Sequence, residues 1–217
     1  MMSLSPSIAA TERSRLVSRG LRLGYLTVGY NSLEAVVALA AGVIAGSVAL
    51  VGFGADSLIE VTAGFTALWR LGRDLDPIRR AHAERVSLRI VGGCFLVLAV
   101  YIAWDASKAL IGRQEPNESL TGIVLAAVSV VVMPLLARAK RKVALALNSG
   151  ALVAEAKQTA LCTWLSAILL GGLLLNAVLG WWWADPVAAL AMVPIIAREG
   201  WEGLRGRSAC EDECCQP

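Results

Sequence analysis

Long apolar blocks alternate with short polar ones along this chain. Between positions 23 and 69 the residues are mostly apolar, and no Lys or Arg interrupts them. A run of about 18 or more apolar residues is long enough for a membrane helix. Blocks at 24–45, 48–69, 86–111, 120–137, 150–175 and 186–200 predict six such spans, the last of them short. The Gly46-Ser47 pair predicts a tight turn between the first two. Pro134 is expected to bend the fourth near its end. Asp185 is placed to cap the sixth helix, and Pro186 suits its first position. Trp181, Trp182 and Trp183 fit an aromatic belt at the membrane surface.

Composition agrees: 57% of the 217 residues are hydrophobic, well above the soluble norm. The expected fold class is therefore all-α, a polytopic membrane protein with six transmembrane helices. Charge then orients it. Of the 20 Lys and Arg, 17 fall in the N-terminal stretch, near the second-to-third and fourth-to-fifth connections, or toward the C-terminus. A six-helix count puts all of these on one side and leaves Lys108 and Arg113 on the other. The positive-inside bias makes both termini cytoplasmic. Residues 1–22 read as a polar N-terminal tail without the apolar core of a cleaved leader. Residues 23–203 form the membrane domain, and 204–217 a short tail. No nucleic-acid motif is present, and the arginines are explained as flanks of membrane helices.

Four acids lie deep inside these apolar blocks, Glu34, Asp56, Glu60 and Glu155, whereas Asp105 and Asp185 read as nearer the outer interface. An ionisable group within a membrane is costly and marks a functional site by default. Helical spacing groups them, because residues three or four apart share a face. Asp56 and Glu60 point the same way; so do Asn31 and Glu34, and likewise Glu155, Gln158 and Cys162. Carboxylate oxygens with a thiolate suit Zn²⁺ or a related divalent ion. Two ionised carboxylates four apart repel each other, so a proton or a metal must sit with them. That competition is the physical basis for exchanging metal against protons. The plainer alternatives are a hydrogen-bonded structural acid, interhelical bonding by Asn31 and Gln158, and simple packing by Cys162. Cys94 has no polar neighbour at helical spacing and reads as packing.

The stretch YNSLEAVVALAAGVIAGSVALVGFGADSLIEV resembles the cation diffusion facilitator family: an Asn in the first span, a Gly-Ser turn followed by Ala-Leu, and paired acids four apart. NSGALVAEAKQTALC, ADPVAAL and AHAERVSLR are similar to that family's patterns too, so the likeness covers about residues 24–205. It implies a homodimeric six-helix exporter of Zn²⁺ or a related cation driven by inward protons. It also implies a metal site at Asp56, Glu60, Gln158 and Cys162. The chain departs from the pattern in two ways. Gln158 and Cys162 stand where the family usually carries His or Asp followed by Asp, and Glu155 and Glu34 are candidates to restore the charge. Little chain follows the sixth span, which corresponds to a short form without the usual cytoplasmic C-terminal domain.

The tail ACEDECCQP places Cys210, Cys214 and Cys215 beside three acids. It reads as a disordered acidic tail or as a soft-metal collector. His82, alone in a basic segment, reads as surface. The leading expectation is a cell-membrane transporter exporting a divalent metal by proton antiport. The alternative is a metal-binding accessory or regulatory membrane protein that does not transport. No nucleophile–base pairing, HExxH or phosphate loop points to an enzyme.

Overall fold

The protein, described from a computed structural model over residues 6–71, 77–147 and 150–205, is an all-α polytopic membrane protein. Among the described residues the helices are α1 (Pro6–Ala45), α2 (Val48–Leu71), α3 (Pro77–Ile111), α4 (Leu120–Ala146), α5 (Gly150–Leu179) and α6 (Ala184–Leu204). The tail cysteines and the side chain of His82 lie outside the described residues.

Among the described residues, five helices contain stretches long and apolar enough to cross a membrane. The other, α6, holds Asp185, Arg198, Glu199 and Glu202 within 21 residues. These charges gather at its two ends and leave an uncharged middle. Several helices outrun their apolar blocks. α1 begins at Pro6, α3 at Pro77, and α4 continues through Arg138, Lys140, Arg141 and Lys142 to Ala146. Arg, Lys and Ala are strong helix formers, so a helix need not stop where hydrophobicity stops. Pro134 accordingly lies inside α4 rather than near its end.

The α1–α2 turn is built from its own atoms. Gly46 takes a left-handed φ of 68°. Ser47 N–H donates to Gly42 O at 3.0 Å, and Gly46 N–H to Val43 O at 3.4 Å. This pairing satisfies the last carbonyls of α1, as in a Schellman cap. The Ser47 hydroxyl then accepts from Leu50 N–H at 3.1 Å and caps α2. Asp185 is buried against the same turn. It accepts the Ser47 hydroxyl, Val48 N–H at 2.9 Å and Ala49 N–H at 3.4 Å. The role expected for Asp185 therefore changes. It satisfies the start of α2, whereas α6 begins after Trp183 with no side-chain cap.

α1 packs along α2, α4 along α5, and α3 along α6. α2 also touches α3, α5 and α6, so its polar face lies inside the bundle. The α3–α6 backbones meet at glycines. A Cβ on Gly92 would sit 2.7 Å from Gly200 O, and one on Gly200 would sit 2.9 Å from Gly92 O. Small residues allow this approach where helices associate by packing. Phe53, Leu50, Ile102, Met133, Leu169, Met192 and Ile196 fill the interior. Outward apolar residues such as Val43, Ile44, Val97 and Val100 give the bundle the apolar exterior that a bilayer requires.

Candidate metal centre

The centre is formed where α2 faces α5. Asp56 and Glu60 are one turn apart on α2, and Cys162 approaches from α5. One ligand atom from each lies within 4.8 Å of the others, and all three residues are buried. Asp56 lies about 12 Å and Glu60 about 18 Å along α2 from its start, close to the middle of a bilayer core. A cavity of about 10 Å³ adjoins them, with Gln158, Phe95 and Glu199 in its lining. That is room for about one water-sized sphere. Gln158 Nε2 is buried there without a hydrogen-bond partner.

Two carboxylates and a thiol are a mixed hard–soft donor set. Divalent zinc accepts both oxygen and sulfur and commonly takes four ligands. Three side chains converge here, which leaves a position for the Gln158 amide oxygen or for water. The surroundings are acid-rich: Glu34 and Glu199 lie near Asp56, with Lys140 as the nearby buried cation.

The remaining sequence candidates occupy a supporting ring. Asn31, 1% exposed, donates from Nδ2 to Glu60 Oε2 at 2.7 Å. Its contact is with a carboxylate that could hold the metal. Glu34 is held by two serines, accepting Ser57 Oγ–H at 2.8 Å and Ser129 Oγ–H in a short bond. The Tyr30 hydroxyl pairs with Ser129 at 2.8 Å. Glu155 is bonded at 2.8 Å to Lys140, which also reaches Thr159 Oγ1 at 3.2 Å. Glu34 and Glu155 are thus each engaged by protein partners of their own and are not among the three groups whose ligand atoms converge.

Sequence reasoning missed Ser57, Ser129, Tyr30, Lys140, Thr159 and Glu199. Lys140 sits in a basic run that reads as a membrane flank, yet it is 1% exposed. Glu199 lies in the last turns of α6, at the edge of its apolar block, and lines the central cavity. The spacing of Glu199 from Ile195 and Ile196 on one face was the available signal. Cys94, expected to be packing, is exposed on α3.

Comparison with known proteins defines the class. The cation efflux transmembrane domain matches residues 25–206, most of the chain, and the chain belongs to the cation efflux family. That membership agrees with the resemblance carried by the Gly-Ser turn and the paired acids. An uncharacterized transporter of Synechocystis sp. is 27% identical over 173 residues, covering 77% of this chain and 56% of that protein. The chain thus spans about half the length of that curated relative.

Proposed function

We propose that this protein carries a divalent transition-metal cation, Zn²⁺ foremost, across the cell membrane in exchange for protons. Asp56, Glu60 and Cys162 bind the ion, and Gln158 completes the shell. The observation that carries this reading is the convergence of two carboxylates and a thiol inside the bundle. Membership of the cation efflux family supports it. Metal loss leaves acids facing one another in a buried space, where uncompensated charge is costly. Protons supply that compensation, which couples their movement to the metal's. The Lys and Arg distribution supports cytoplasmic termini and uptake of the ion from that side. α6 completes the sixth crossing with its charges at its ends, and the family resemblance supports a homodimer.

The test is flux in liposomes that enclose a zinc-sensitive dye, under an imposed pH gradient. The parent protein moves Zn²⁺, and Asp56→Asn or Glu60→Gln lowers the rate at least tenfold. A parent that binds Zn²⁺ tightly but gives no flux under either gradient direction favours the accessory reading, which Gln158 motivates by lowering the charge of the site. A parent that neither binds nor moves the ion removes both.

A further inference from the structure

A second cavity of about 10 Å³ lies on the other side of Glu60 and Gln158. Thr27, Asn31, Lys140, Glu155 and Thr159 complete its polar lining, so Glu60 and Gln158 form a shared wall between this space and the metal centre. The lining is rich in oxygen donors of the kind a divalent cation accepts. Two buried polar atoms of its lining residues, Asn31 Oδ1 and Gln158 Nε2, have no hydrogen-bond partner. Glu155 lies at its rim with 17% of its side chain exposed, while Lys140 is 1% exposed. Glu155 is about 7.5 Å from the start of α5, and Lys140 about 9 Å from the end of α4. Both therefore stand between one end of the bundle and the buried acids.

We propose that this cavity is the cation inlet to the metal centre, and that Lys140 occupies it as a tethered cation which an arriving metal displaces from Glu155. This rests on the reading of Asp56, Glu60 and Cys162 as the transported ion's site. An ion pair with Lys140 buried and Glu155 at the rim is a weak stabiliser compared with apolar packing, so stability alone gives little reason to place one here. A role in the ion's path gives one. The ammonium neutralises Glu155 while the inlet is empty and keeps the acid-rich interior closed to adventitious cations. Its four-carbon stem lets the charge swing aside without moving α4. The metal then passes from Glu155, past Gln158, to Glu60, Asp56 and Cys162. Glu155, Gln158 and Cys162 share one face of α5, which makes that face the track.

Cys162 provides a spectroscopic probe that does not depend on transport. The 217-residue chain is prepared with Cys94, Cys210, Cys214 and Cys215 replaced by Ser, leaving Cys162 as its thiol. Cd²⁺ is mixed with it in detergent micelles by stopped flow, and the ultraviolet thiolate-to-cadmium charge-transfer band reports arrival at the centre. Lys140→Met keeps the stem and removes the charge, and the band should form about tenfold faster, as expected for losing one nearby positive charge. Glu155→Gln removes the capturing carboxylate and frees Lys140 to face Glu60, and the band should form about tenfold more slowly. An unfolding midpoint is measured for each variant. If both variants fold and their rates stay within twofold of the parent's, Lys140 and Glu155 are only a packing pair and the proposal is wrong. If Lys140→Met does not fold, the Glu155→Gln rate decides alone. If the parent develops no band at all, Cys162 is not a ligand, and the inlet falls together with the centre it was assigned to serve. A normal band with unchanged variant rates overturns the inlet alone.

Discussion

Replacing Asn31 with Leu isolates one hydrogen bond to the metal centre. Leu has the same number and branching of side-chain heavy atoms as Asn, though a larger volume, and it cannot donate. Asn31 Nδ2 lies 2.7 Å from Glu60 Oε2, and the residue is only 1% exposed, so water does not readily take its place. Asn31 Oδ1 has no hydrogen-bond partner, so the substitution removes one protein bond and no second one. A hydrogen bond to a charged acceptor contributes about 1.5–3 kcal/mol. Expressed as affinity, that is roughly 10- to 150-fold. Groups that orient a metal's ligands typically change affinity by about 10–100-fold when mutated. Zn²⁺ affinity is measured by competition with a chromophoric chelator in detergent, with the unfolding midpoint as a control. The dissociation constant should rise at least about tenfold while the protein stays folded. A folded variant whose constant is within twofold of the parent would show that Asn31 does not position Glu60 for metal.

Asp185→Ala leaves the Ser47 hydroxyl and Val48 N–H without their buried acceptor. Two such bonds are together worth about 3 kcal/mol or more; unfolding in graded SDS should show a loss of that size, and a change under about 0.5 kcal/mol would remove the α6–α2 tie. Gly92→Leu drives a side chain into the α6 backbone, 2.7 Å from Gly200 O and Leu204 N. It should lower the melting temperature sharply or prevent recovery of folded protein, and a normal melt would place the α3–α6 contact wrongly. Cys162→Asp makes the donor set all-oxygen and should move transport preference from Zn²⁺ toward Mn²⁺ in competition flux; an unchanged preference takes Cys162 out of the site.

Much of the fold was readable from the sequence because the membrane simplifies the signal. Each apolar block had to become a helix, since its backbone can hydrogen-bond only to itself. The blocks did not reveal where the helices end, because α4 continues through a basic run that is helical by propensity. Lys140 shows the consequence: a cation among Arg138, Arg141 and Lys142 reads as a surface charge, and only the packing of α4 on α5 brings it to Glu155. The convergence of Asp56, Glu60 and Cys162 was partly visible, because four-residue spacing fixes a face within each helix. That α2 and α5 turn those faces toward one another depends on packing, and spacing alone does not specify it. Glu34 illustrates the limit from the other side. Its partners Ser57 and Ser129 come from α2 and α4, and hydroxyls in membrane helices are too common to single out. Asp185 looked like the cap of its own helix because that is the local rule. In the fold it serves the start of α2, 137 residues away from Val48 in sequence.

The most direct measurement is X-ray absorption at the zinc edge on the Zn²⁺-loaded 217-residue chain with Cys94, Cys210, Cys214 and Cys215 replaced by Ser. The account predicts one sulfur scatterer at about 2.3 Å and oxygen or nitrogen neighbours at about 2.0–2.2 Å. The sulfur shell should vanish in Cys162→Ser. A shell of oxygen and nitrogen alone in the protein that retains Cys162 would contradict the centre assigned to Asp56, Glu60 and Cys162.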